Sequence, residues 1–154
     1  MRRERPVDPA LLGHRGGGLS ESAAHLRLVA CLSEWIADEY FGGDQGAIRV
    51  DSPEASAGTK PPPVYGFVPD VYAMGRDGIG LVIGEAKTAR DVENRHTLEQ
   101  FTAFMKLCSL SPDSCLVIAV PWWLVRLARA MVATVERRQR ITNVRVVVLD
   151  KLEG

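Results

Sequence analysis

The stretch Val68-Pro69-Asp70-Val71-Tyr72-Ala73-Met74-Gly75-Arg76-Asp77-Gly78-Ile79-Gly80-Leu81-Val82-Ile83-Gly84-Glu85-Ala86-Lys87 reads as two strands about a turn. Candidate strands at 68–74 and 79–87, the second opening on the apolar run Ile79–Ile83, flank Gly75-Arg76-Asp77-Gly78, and Asp-Gly is a dipeptide that favours a tight hairpin connection. Two registers are open. If 75–78 forms a four-residue loop, Met74 faces Ile79 and Asp70 faces Ile83, which leaves Asp70 and Glu85 as diagonal neighbours roughly 7–8 Å apart at the backbone. If Asp77-Gly78 alone makes the turn, Asp70 lies directly opposite Glu85. Side chains alternate along a strand, so both registers put the two carboxylates on one face, with Lys87 beyond Glu85 on the same side. Two such carboxylates suit Mg²⁺, a hard cation that takes oxygen ligands and keeps waters. A cation so held lowers the pKa of its water and stabilises a phosphodiester under attack, and a neighbouring lysine offsets developing negative charge.

Outward from the hairpin the periodicity gives the remaining elements. Ser20 is a plausible cap for a first helix running to about Tyr40, with Ala24, Leu28, Cys31, Leu32 and Trp35 as its apolar stripe and Gly42-Gly43 as its stop. Residues 47–50 read as a short strand, 52–63 as a loop and 88–95 as a loop or helix entry. A helix over 96–109 carries Leu98, Phe101, Met105 and Cys108 on one stripe. Residues 115–120 read as a buried strand, Pro121 as the first residue of a helix ending near Arg137, and 144–149 as a final strand. The order α-β-β-β-α-β-α-β implies an α/β fold, a mixed β-sheet flanked by helices. Residues 1–18, rich in Arg, Pro and Gly, read as a flexible N-terminal arm, and 19–154 as a single domain.

Composition bounds the function. The chain has 154 residues, enough for one core, and its 46% hydrophobic and 25% charged content is that of a globular protein. Nineteen basic and nineteen acidic residues cancel, which argues against a nucleic-acid coat or a polybasic membrane binder but leaves local phosphate binding open. Cys31, Cys108 and Cys115 form no CxxC pair, so a zinc knuckle and a disulfide framework are not expected, and a reducing cytoplasmic setting is. No apolar run reads as a signal peptide or a membrane span.

Pro69-Asp70, the hairpin and Glu85-Ala86-Lys87 together resemble the PD-(D/E)xK signature of restriction-endonuclease-like nucleases, a superfamily that includes restriction enzymes, Holliday-junction resolvases and repair exonucleases. The resemblance spans roughly residues 20–150 and implies a restriction-endonuclease-like core. It implies Asp70 and Glu85 as ligands of Mg²⁺ or Mn²⁺, the Ala86 carbonyl as a further ligand, and Lys87 as the residue assisting the nucleophilic water. Many members carry another acid on the first helix. Glu21 fits, two turns before Leu28 and on the side of Leu32 and Trp35; Glu39 falls on the same side at the other end, while Glu34 and Asp38 lie further round. Gln100 resembles a glutamine that several branches carry after the lysine and is a candidate for orienting the water or a phosphate.

The activity these residues imply is metal-dependent phosphodiester hydrolysis, with DNA the expected substrate and RNA or a branched junction left open. The competing reading is a catalytically silent nucleic-acid-binding or assembly module of the same fold. A homodimer is the default, since two sites cut two strands most simply. Loop 52–63 and segment 88–95 adjoin the motif strands and are where substrate contacts are expected. Other candidates have ordinary explanations: Glu21 suits a helix's first turn anyway, His25 reads as a core residue before a site residue, and His96 as part of a helix start. Arg90, Arg95 and Lys106 suit either phosphate contact or solvation. Trp122 and Trp123 can stack on bases, but packing in the core or a dimer is the expected use.

Overall fold

The structure, a computed structural model, describes residues 16–76, 78–92 and 94–150, with side chains from residue 23 onward. Helix α1, Gly16–Phe41, starts ahead of Ser20, so 16–18 belong to the helix and not to the arm; the rest of the arm, 1–15, lies outside the described residues. Each glycine costs a helix about 1 kcal/mol relative to alanine, yet extending a formed helix needs no new nucleus. Strand β1, Arg49–Val50, is shorter than the expected 47–50 because Asp44, whose carboxylate accepts from the Gly46 N–H at 2.9 Å, caps a 3₁₀ turn over Gln45–Ala47.

Strands β2, Val71–Ala73, and β3, Val82–Ala86, form the hairpin. Val71 pairs with Gly84, Tyr72 with Ile83 and Ala73 with Val82. This is the register of the two-residue turn: the Ile79 N–H donates to the Arg76 carbonyl at 3.1 Å, and Gly78 takes φ +83°, which only glycine adopts without cost. The four-residue loop is not what forms. Helix α2, Arg95–Ser109, is capped by Asn94, whose side chain accepts from the Thr97 N–H at 2.7 Å. Strand β4, Cys115–Ala119, leads through Pro121 into a 3₁₀ turn, Trp122–Leu124, and then helix α3, Val125–Gln139. Pro121 therefore precedes the 3₁₀ turn and does not open the helix. Strand β5, Arg145–Leu149, ends the described chain's regular elements.

The five strands lie in the order β1-β2-β3-β4-β5, antiparallel through β3 and parallel from β3 to β5. Val71, Ala73, Val82, Ala86, Val117 and Ala119 pack with Leu28, Leu32 and Ile36 of α1. The other face packs Leu81, Ile83, Leu116 and Ile118 with Phe101, Phe104 and Met105 of α2 and with Ala128 and Val132 of α3. The architecture is thus α/β, a mixed sheet with helices on both faces, as the element order implied. Trp122 and Trp123 are 62% and 58% exposed, so core packing does not account for them.

Gly84 sets how closely α1 approaches the sheet. A Cβ there would lie 2.8 Å from Ile36 Cδ1, 3.0 Å from Val71 Cβ and 3.1 Å from Leu32 Cδ2. We expect Gly84→Ala to destabilise the protein by about 1–3 kcal/mol through overpacking, read as a lowered midpoint in chemical denaturation; an unchanged midpoint would show that α1 is free to shift.

Candidate functional site

The hairpin's open end carries the site. Asp70 lies one residue before β2 and Glu85 within β3, and the observed register continued by one residue sets them opposite each other. Both belong to the face under α2 and α3, since Tyr72 and Ile83, two residues from each, pack there. Lys87 follows β3, and its N–H donates to the Ala119 carbonyl at 2.9 Å, which continues the parallel ladder past the strand end.

Four contacts hold the group together. The Ala86 N–H donates to Asp70 Oδ2 at 2.8 Å, and the Asp70 N–H donates to Glu85 Oε2 at 3.2 Å. Lys87 Nζ lies 3.0 Å from Glu85 Oε1. His25 Nε2 lies 3.2 Å from Asp70 Oδ1. His25 belongs to the helix on the opposite face, and it reaches Asp70 because Asp70 stands at the rim of the sheet rather than within a strand. Asp70, Glu85 and Lys87 are all buried, Glu85 to 2% exposure.

Burial sets the electrostatics. Loss of water, and then the charge of Asp70, push the Glu85 carboxyl up to about 8 against the opposing pull of the Lys87 ammonium. The hydrogen bond to Asp70 raises the His25 imidazole above its ordinary range. A place where a second negative charge is this costly gains most from a divalent cation, and paired carboxylates are the donors a hard cation takes. The donor set therefore fits such an ion. Among the described residues, no group of three or more His, Cys, Asp or Glu side chains is gathered to hold an ion. A cation held by Asp70 and Glu85 would complete its shell with water, substrate oxygen or the Ala86 carbonyl.

Comparison with family models, with curated proteins and with solved structures returns no match.

Asp70, Glu85, Ala86 and Lys87 are thus brought together. Glu21 falls on α1, but its side chain lies outside the described residues. Gln100 is buried on α2 with its Oε1 lacking a hydrogen-bond partner, and no hydrogen bond joins it to Asp70, Glu85 or Lys87 among the described residues. Glu39, expected on the sheet side of α1, is exposed, as are Glu34 and Asp38; the end of the helix with His25, not the end with Glu39, adjoins the site. Arg95 is exposed and pairs with Glu99 at 3.0 Å, while Lys106 is exposed and His96 stands edge-on to Phe67. Within the expected segment 88–95, residues 88–92 are tied down locally: Thr88 donates to Asp91 at 3.0 Å, Thr97 donates to the Asp91 carbonyl, and Val92 is in the core.

Two residues carried little sequence signal. His25 falls one turn from Glu21 and reads as a core residue, because nothing local in the sequence shows that Asp70 stands at the rim of the sheet. Asp51 stands abreast of Asp70 when the β1–β2 pairing is continued by one residue, and its N–H donates to the Asp70 carbonyl at 2.8 Å. Its carboxylate pairs with Lys60 at 4.0 Å. Nothing in residues 47–51 alone fixes which strand they join.

Both shifted groups are held protonated more readily in the folded chain than in the unfolded one, so both contribute stability at low pH that is lost as pH rises through their folded values. For Glu85 the window runs from its ordinary 4.5 to about 8. We expect the melting temperature of the protein in EDTA to fall across that window, and Glu85→Gln to flatten the fall to the part due to His25. An equal slope in the two proteins would mean that Glu85 is not held protonated.

Proposed function

We propose that the protein is a metal-dependent nuclease of the PD-(D/E)xK type, with a restriction-endonuclease-like core, that hydrolyses phosphodiester bonds in DNA with Mg²⁺ or Mn²⁺. The observation that carries this reading is a single arrangement: Asp70 opposite Glu85, with Lys87 Nζ 3.0 Å from Glu85 Oε1, all three buried at one end of the sheet. A surface ion pair would explain an acid and a lysine on one strand, but it would not be buried beside a second carboxylate. A bound divalent ion supplies an activated water and charge neutralisation at the scissile phosphate.

Each residue has a defined task. Asp70 and Glu85 present carboxylate oxygens to the ion. The Ala86 N–H fixes Asp70 through Oδ2, leaving Oδ1 to His25, and the Asp70 N–H fixes Glu85 through Oε2. These bonds hold the two acids without rotamer search, which is the preorganisation that electrostatic catalysis needs. Lys87 keeps Glu85 partly compensated while no ion is present, and its ammonium is placed to offset negative charge on the substrate. Glu21 and Gln100 are supporting assignments: Glu21 as an additional acid from α1, Gln100 as a buried amide whose free Oε1 can accept from the water.

The test is cleavage of labelled single-stranded, duplex and branched DNA, with RNA alongside, in Mg²⁺, Mn²⁺ and EDTA. We expect cutting only with metal, loss on Asp70→Ala, and a fall of about a hundredfold or more on Lys87→Ala. Mn²⁺ at about a hundred times its dissociation constant should also stabilise the wild type by about 2.7 kcal/mol. No cutting of any substrate and no stabilisation by metal would replace this reading with a catalytically silent binding module.

A further inference from the structure

The turn after β4 carries a second surface at the same end of the sheet. Trp122 and Trp123 are 62% and 58% exposed, their rings 5.9 Å apart and 88° to one another. The Lys87 N–H bonds the Ala119 carbonyl, and three residues of chain from Ala119 reach at most about 11 Å. Trp122 therefore lies on the chain that leaves the Lys87 end of the sheet, within that reach of the strand position hydrogen-bonded to Lys87. The segment 122–140 holds five arginines and one acid, Glu136, in a chain that is neutral as a whole. Arg126 stands one turn beyond the tryptophans and Arg129 one turn further; both are exposed, and neither forms an ion pair among the described residues.

We propose that this surface binds single-stranded DNA, with one unpaired base lodged in the corner of the two indoles and the flanking phosphates on Arg126 and Arg129. The proposal rests on the nuclease reading for its substrate class and deepens it from DNA to unpaired DNA. Perpendicular rings cannot both stack on successive parallel bases. One ring takes the face of a base, and the other walls its edge. Only an unpaired base offers its face, since in a duplex both faces are covered by neighbours. Free arginines supply the phosphate contacts that such binding needs. A second copy of the chain is the other occupant to weigh. Two indoles at this exposure offer at most about 300 Å², far below the roughly 800 Å² per partner of a stable interface.

The experiment is fluorescence anisotropy of labelled oligothymidylate and of a matched duplex, in EDTA so that no cleavage intervenes. It compares wild type with Trp122→Ala, Trp123→Ala and the double phenylalanine variant, with sedimentation of each. The substituted side chains are exposed, and a melting curve checks that each variant is folded. We expect the single strand to bind more tightly than the duplex, each alanine to weaken it by at least about fivefold, and phenylalanine to restore most of the loss. Binding should also quench indole fluorescence in the wild type, and not in the double phenylalanine variant, which keeps only Trp35. Equal affinity for duplex, no binding, or alanine variants that bind as the wild type does would each overturn the proposal. So would a dimer that the alanines dissolve with single-strand binding unchanged. The two readings fail separately: Asp70-dependent cleavage without any tryptophan effect overturns this inference alone, and tryptophan-dependent binding without metal-dependent cleavage overturns the nuclease alone.

Discussion

Glu85 is a carboxyl group that the fold has taken out of water and set beside the Asp70 carboxyl. Everything near it answers that constraint. The Asp70 N–H and the Lys87 ammonium occupy its two oxygens, and Asp70 in turn is held by the Ala86 N–H and by His25. Removing one partner from such a group leaves a buried charge or an unmet acceptor, which costs more than the contact contributes.

The hairpin was the most legible part of the chain because its signals agree. Alternation, the Asp-Gly turn and the apolar run before Glu85 all point to one structure, and they place both acids on one face whichever register forms. Choosing between the registers is beyond the sequence, since a Gly75–Gly78 connection can close either way; the pairing of Val71 with Gly84 and of Ala73 with Val82 decides it. Helix α2 was equally clear from its stripe, although its Asn94 cap was not singled out. Element ends were less legible. Three glycines suggested that a helix could not begin before residue 19, yet α1 includes them. Pro121 suggested an α-helical start, where a 3₁₀ turn intervenes.

The site was legible where it is local and obscure where it is not. Asp70, Glu85 and Lys87 lie within one supersecondary unit, so period and spacing suffice to join them. His25 comes from the other side of the sheet, and Asp51 from a strand of only two residues whose partner no local pattern names. The direction of α1 across the sheet decides between its ends, and the contact of His25 with Asp70 that shows this direction has no signature in α1 itself. The exposed tryptophans show the same limit, since a Pro-Trp-Trp segment reads as core until the turn that carries it is seen.

The topology also sets the order in which the cluster can be assembled. Asp70 and Glu85 are 15 residues apart and joined by a tight turn, whereas Lys87 meets Ala119 only after the chain has crossed over through α2. Hairpins close in about 1–10 μs, and non-local parallel pairing is slower. The two acids are neighbours within one hairpin, where their repulsion is weak as long as they are hydrated, and β3 is covered on its other edge only through the non-local pairing with β4. Where that pairing limits the rate of folding, its barrier includes the cost of burying charge. The rate of folding, and not only the final stability, is then sensitive to protonation and to dissolved cations.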